Sequence, residues 1–257
     1  MPFNGRVDPR YFFPSPTHEE AIARLHFLVE NHRRLGLVLG AVGYGKSLIL
    51  EVFAEQLRRS GRAVAKLNLL GLDAAEILWR IAVELGLNPP PFASTTALWR
   101  ALDDRLAEHR FRQLDTVILL DDADTAERSV LPHIARLADH DSSPDSRLTV
   151  ILAVEKMNVA HLGNRLLELS DLRIDIEPWT LEDVEGFLTS SLSQAGSKKK
   201  IFAADAVAKL HELSGGIPRR IVQLADLALL AGAGAELKQI DAEVIQSVCE
   251  ELRPVEV

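Results

Sequence analysis

Apolar residues recur along this chain in two registers, and the changes of register divide it into elements. A short apolar run at residues 35–39 predicts a strand buried on both faces, and 63–69, 116–120, 148–154 and 173–176 read as four further strands. Between them, apolar residues return every three or four positions. Ala21, Leu25, Leu28 and Val29 form one such face; Leu48, Val52 and Leu57 another; Ile77, Leu78, Ile81, Ala82 and Leu85 a third. Further helices are predicted at about 96–109, 130–138 and 159–169. Thr17, with Glu20 three positions on, has the spacing of a capping box for the first helix. Gly86 and the triple proline Pro89, Pro90 and Pro91 stop the third. Strands alternating with helices imply an α/β fold with a parallel sheet covered on both sides.

After Pro178 the alternation ends and helices follow one another. Thr180 caps a helix carrying Leu181, Val184, Leu188 and Leu192, and others are expected at 205–213, 218–231 and 241–252. The AGAGA stretch at 231–235 reads as a loop, as does the segment with Gly196 and Lys198, Lys199 and Lys200. Pro2, Pro9, Pro14 and Pro16 predict an extended N-terminal arm. The expected organisation is an α/β domain at 1–178, arm included, followed by a small helical domain at 179–257.

The join between the first strand and its helix carries the clearest chemistry. Residues 40–47 read GAVGYGKS and match the P-loop pattern G-x-x-x-x-G-K-[ST]. Gly40 and Gly45 let the backbone turn and approach phosphate oxygens without a Cβ in the way, and Gly43 loosens the loop further. Backbone N–H groups from Gly40, Ala41, Val42, Gly43, Tyr44, Gly45, Lys46, Ser47 and Leu48 are candidates to face the anion. Lys46 would reach the β- and γ-phosphates, and the Ser47 hydroxyl would ligate Mg²⁺. The following helix turns its positive end toward the same place. Nucleotide binding is the expected activity.

Composition narrows the alternatives. The chain has 257 residues, 47% of them hydrophobic, which is ample for a core. A formal net charge of −8 gives no global positive field toward nucleic acid or an anionic membrane. The single cysteine, Cys249, excludes an internal disulfide and a cysteine-rich metal site. The N-terminus lacks the pattern of a secretory signal, and no apolar run reaches the length of a membrane span. A cytoplasmic location is expected.

A P-loop site needs a carboxylate at the end of a neighbouring buried strand, and VILLDD supplies Asp121 for the metal shell and Asp122 to polarise the attacking water. Aspartate is one methylene shorter than glutamate, so Asp122 predicts slow hydrolysis. At the end of the fourth strand, Glu155, with Asn158 nearby, stands where a γ-phosphate sensor would be; a solvated loop glutamate competes with that role. GGIPRR puts Pro218 at a helix start with Arg219 behind it. An arginine there opposes the helix dipole and asks for an anion, so Arg219 is a candidate for the γ-phosphate. Arg165 and Arg173 flank the fifth strand and are candidates for an arginine supplied to a neighbouring subunit. At Arg165, a favourable charge near a helix C-terminus explains the residue equally well.

These motifs resemble those of the AAA+ ATPases. More narrowly, PFN, FF, HEEAIARL, GAVGYGKS, LLDDAD and SGGIPRRIVQLADLALL are similar to the ExeA-type branch, general secretion pathway protein A, which in turn resembles ATPases of some transposition systems. The resemblance covers nearly the whole chain. It implies a five-stranded parallel sheet of order 5-1-4-3-2 and a C-terminal all-helical lid, with ATP held between core and lid. It also implies assembly into rings or arcs, so that an arginine of one subunit completes another's site. It carries over Lys46 and Ser47 to phosphate and Mg²⁺, Asp121 to the metal shell, Asp122 to water activation and Arg219 to the lid sensor. The sequence departs from the family where Asp122 replaces glutamate, Asp124 replaces glutamine or histidine, and Glu155 replaces glutamine.

Such proteins act with envelope secretion machinery and often append a membrane segment and a peptidoglycan-binding module, neither of which this sequence carries. The expected function is therefore an ATPase that rearranges a partner assembly, reached without a direct membrane anchor, in secretion or pilus-type export. Two further readings stay open. One is a nucleotide-gated oligomerisation switch with little turnover. The other is an ATP-dependent DNA-binding regulator using Arg33, Arg34, Lys198, Lys199 and Lys200, which the acidic total disfavours.

Overall fold

The computed structural model describes residues 3, 7–141, 143, 145–197 and 199–252; Pro2, Lys198 and residues 253–257 of the expected helical domain lie outside the described residues. Contacts divide the chain into two compact units. One comprises His18–Val42 and Lys46–Ile176, the other Met1–Thr17, Gly43–Gly45 and Glu177–Val257.

In the α/β unit the apolar runs become strands β1 (Leu35–Gly40), β2 (Ala63–Asn68), β3 (Thr116–Asp121), β4 (Leu148–Glu155) and β5 (Leu172–Asp175). All pairings are parallel, in the order β2-β3-β4-β1-β5, which is the expected order read from the other edge. Every residue of β1 and of β3 is buried, which is why these strands read as continuous apolar runs rather than alternating ones. Helices α1 (Pro16–Glu30), α2 (Lys46–Arg59), α3 (Ala74–Glu84), α4 (Thr95–Phe111), α5 (Leu131–Ala138) and α6 (Gly163–Leu169) follow the sheet in the chain order foreseen. Leu37, Ile118, Val150 and Leu152 of the sheet share one core with Ile77, Ile81, Leu102, Ile134 and Leu166 of the helices. Because the sheet is parallel, the strands end on one edge, which sets Gly40, Asn68, Asp121 and Glu155 together there.

Two local expectations are corrected. The helix expected at about 159–169 is a 3-10 segment, Lys156–Leu162, followed by α6, because Gly163 at φ +76° interrupts the helical path. The capping box at Thr17 does not form. Helix α1 already starts at Pro16, and the Thr17 hydroxyl accepts the Glu177 N–H at 3.1 Å instead.

One buried titratable group gives this unit an acid-sensitive stability. His109, near the end of α4, is 5% exposed and its Nδ1 lies 2.8 Å from the Thr116 hydroxyl. Burial pushes its pKa below the ordinary 6.5, with Arg105 and Arg112 adding to the effect. Folded protein then releases the proton that the unfolded chain holds, so the cost is absent above 6.5 and grows as pH falls below it. The thermal midpoint of a His109→Gln variant should fall less than that of the parent between about pH 6.5 and pH 5. Parallel profiles would contradict this.

The helical unit contains α7 (Leu181–Gln194), α8 (Ala204–Ser214), α9 (Pro218–Gly234) and α10 (Ala242–Glu251). The Thr180 cap is present and forms a reciprocal box with Asp183. Val184, Phe187, Leu210, Ile221, Ala225 and Ile245 make the core. The AGAGA stretch, expected to be a loop, is helical through Gly234. A Cβ on Gly232 would sit 3.1 Å from Ile240, so the small residues there let α9 lie close to the segment before α10. The N-terminal arm is anchored in this unit. It makes a 3-10 turn at Pro9–Tyr11 capped by Asp8, and buries Phe3 against the Phe187 and Phe202 rings. Phe13 packs edge-on against Trp179 and Phe187.

Candidate nucleotide-binding site

The P-loop leaves β1 at Gly40 and enters α2 at Lys46. Gly43 and Gly45 take φ of +86° and +89°, so these two glycines, and not Gly40, make the turns that a side chain would resist. Gly43 is also closely packed within the helical unit, to which Gly43–Gly45 belong. Its carbonyl accepts the Arg219 N–H at 3.2 Å, and a Cβ there would lie 2.9 Å from Ile217 and 3.1 Å from the Cβ of Arg219. Gly43→Ala should therefore destabilise the protein by about 1–3 kcal/mol in denaturant titrations, through backbone strain and crowding together. A change within error would contradict the packing described.

Lys46 is 8% exposed, and its Nζ donates to the carbonyls of Gly40 at 2.8 Å and Ala41 at 3.1 Å. Burial draws its pKa down, while Asp124, Asp121, Asp122 and Glu155 oppose that shift. Ser47, one residue on, is half-buried in the first turn of α2, and Leu48 follows it there. The leading N–H groups of this helix have no intrahelical acceptor, and its last turn carries Arg58 and Arg59 to complement the other end of the dipole. Ala41, Val42 and Tyr44 complete the loop, with Val42 exposed.

Asp121 closes β3 and is 4% exposed. Burial raises its pKa, and a hydrogen bond from the Ser47 hydroxyl works against the rise. The two candidate metal residues, 74 positions apart in sequence, are thus electrostatically linked. No group of three or more His, Cys, Asp or Glu among the described residues could hold a metal ion by itself. One buried carboxylate and one hydroxyl suit Mg²⁺ instead, which keeps several waters and completes its shell with substrate phosphates.

Asp122 follows in the left-handed region at φ 51° and ψ 42°, half-buried. Its Oδ2 accepts the Asn68 amide at 2.6 Å. Asn68 was not among the residues singled out from sequence. Its signal is positional, a polar residue ending an apolar strand, and only the register, which sets Asn68 opposite Asp121, gives it meaning. Asp124 likewise organises the end of β4. It accepts the Glu155 N–H at 3.1 Å and the Asn158 amide at 2.9 Å, and the same amide reaches Glu155 Oε2 at 3.1 Å. Asn158 is thereby fixed between two carboxylates, beside the strand end where the sequence pointed to Glu155.

The arginines fall in different places. Arg219 is exposed in the first turn of α9, behind Pro218. Arg165, in α6, donates to Asp139 at 2.5 Å and lines a cavity of about 1200 Å³. Arg173 is exposed on the edge strand β5, in register with Leu37. Of the basic residues considered for DNA, Arg34 pairs with Asp139 and Lys200 with Glu185.

Residues 29–162, just over half the chain, match the family model described as AAA domain. General secretion pathway protein A of Aeromonas hydrophila is 28% identical over 234 residues, covering 90% of this chain and 43% of its own length. The chain therefore spans less than half of that relative. The structure superimposes on Cdc6p of Pyrobaculum aerophilum with a TM-score of 0.76 at 20% identity, covering 95% of this chain and 71% of that one. The Aeropyrum pernix ORC2 protein, solved in ADPNP and ADP complexes, gives a TM-score of 0.69 at 14% identity, with coverage of 95% and 71%. The RuvB Holliday junction branch migration motor of Thermotoga maritima gives 0.59 at 12%, with coverage of 91% and 69%. By its matched family model, its parallel sheet order and its P-loop, the chain belongs to the AAA domain family, in the AAA+ group of P-loop nucleotide-binding proteins.

Proposed function

We propose that this chain binds ATP with Mg²⁺ at the Gly40–Ser47 loop and hydrolyses it, with turnover dependent on a second copy of the chain. The observation that carries the reading is the nearly buried Lys46 ammonium, which the Gly40 and Ala41 carbonyls hold at the loop between β1 and α2. Lys46 stands at the phosphate position. It can exchange its bonds to Gly40 and Ala41 for phosphate oxygens over a short path. Ser47 and Asp121 would hold the metal ion, which when bound neutralises phosphate charge. The four carboxylates facing Lys46 would repel a bare triphosphate, so metal-complexed nucleotide is the form this site favours.

Asp122 accepts the proton of the attacking water, and Asn68 orients its carboxylate. Asn158 would report on the γ-phosphate, and Arg219 is the candidate arginine for the same group. Arg165 is the arginine offered to a neighbouring copy, with Arg173 the alternative. Similarity to general secretion pathway protein A supports work on a partner assembly in secretion. No helix among the described residues is long and apolar enough to cross a membrane.

The test is steady-state hydrolysis over a protein concentration series. The reading requires a rate that rises more than linearly with protein. A rate per chain that is the same at every concentration would remove the second copy from the account. Binding without turnover at any concentration would favour the nucleotide-gated switch instead.

A further inference from the structure

We infer that Asp139 is a positioning residue for Arg165, holding that guanidinium in place through a carboxylate that Arg34 fixes by its other oxygen. The inference rests on the reading of Arg165 as the arginine that acts on a neighbouring copy. All three residues belong to the α/β unit.

Asp139 closes α5, where its backbone N–H bonds the Ala135 carbonyl, so the helix end fixes its place. Its Oδ1 accepts Arg34 Nη1 at 3.1 Å and its Oδ2 accepts Arg165 Nη2 at 2.5 Å. Arg34 is itself anchored. Its N–H donates to Asp171 Oδ2 at 2.8 Å, and its carbonyl accepts the Val150 N–H at 2.8 Å, both at the start of the sheet. Arg165 is held differently. Its neighbour Leu166 is 1% exposed and pins α6 to the core, while the Arg165 side chain is 61% exposed and stands on the wall of the 1200 Å³ cavity.

Each guanidinium takes one oxygen of the carboxylate, so Arg34 fixes the plane from which Asp139 orients Arg165. An exposed ion pair adds little to stability, which leaves orientation as what this bond provides.

The test uses the full chain with Mg-ATP, reading kcat and KM across protein concentration for the parent, Arg165→Ala, Asp139→Asn and Arg34→Gln. Arg165→Ala should remove the part of the rate that grows with concentration. Asp139→Asn should lower kcat about tenfold with KM unchanged, because only orientation is lost. Arg34→Gln should also lower kcat, since Asp139 then loses the partner that fixes its carboxylate. That variant carries the test if Asp139→Asn does not fold. Loss of the concentration-dependent rate in Arg165→Ala with parental kcat in Asp139→Asn and Arg34→Gln would overturn this inference and leave the trans reading standing. A higher kcat in Asp139→Asn would mean that Asp139 withholds Arg165, and would also overturn it. A parental rate in Arg165→Ala, or no turnover in the parent, would remove the trans reading and the inference together.

Discussion

Lys46→Ala is expected to weaken Mg-ATP binding by about a hundredfold or more while leaving a single cooperative thermal transition. The ammonium is nearly buried and is held by the Gly40 and Ala41 carbonyls at the mouth of the loop, so it is already where the phosphates would arrive. Truncating one partner of a desolvated charge pair costs about 2–5 kcal/mol, and each 1.4 kcal/mol is a factor of about ten in affinity. The fold should survive, because alanine is a stronger helix former than lysine at the start of α2 and the apolar side of that helix is untouched. Titration calorimetry on the two proteins checks the affinity and a thermal melt checks the fold. Equal affinities would mean that nucleotide, if bound, is held elsewhere.

Asp122→Asn should reduce turnover by about 10²–10⁴-fold, the usual contribution of a positioned general base, with affinity for Mg-ATP nearly unchanged. The substitution is suited to the position. Asp122 has left-handed backbone angles, which asparagine tolerates as well as aspartate, so loss of activity reports chemistry and not a strained turn. The amide cannot take a proton from water, and it presents Asn68 with a carbonyl or an amino group in place of a carboxylate oxygen. Single-turnover hydrolysis at saturating ATP checks it. A rate within threefold of the parent would move the base role to another group, and Asp124 and Glu155 are the carboxylates at hand.

How much of this was legible in sequence differs by residue. The sheet was readable because strands covered on both faces carry unbroken apolar runs, as β1 and β3 do, and because a P-loop fixes which strand is first. Lys46, Ser47 and Asp121 follow from local patterns. The contacts that give the site its electrostatics do not. Asn68 acquires its role only through the β2–β3 register, and Asn158 only through Asp124, because register and loop closure depend on the whole sheet. The pairing of Arg34 and Arg165 on Asp139 joins residues 105 and 26 positions from it and was equally hidden. Local propensity misled where packing overrode it. Prolines suggest an extended arm, but not that Phe3 and Phe13 sit among the aromatic rings of the helical unit. Glycines suggested a loop at 231–235, yet Gly232 is the residue that lets α9 approach Ile240.

The measurement that tests the central claim most directly is equilibrium binding of a non-hydrolysable ATP analogue to the intact chain, with Mg²⁺ and with EDTA. The site described here predicts saturable binding of one nucleotide per chain in Mg²⁺, and marked weakening in EDTA because the carboxylates around Lys46 then face uncompensated phosphate charge. Saturable binding that ignores the metal would contradict the roles given to Ser47 and Asp121. Absence of saturable binding in Mg²⁺ would contradict the nucleotide site itself.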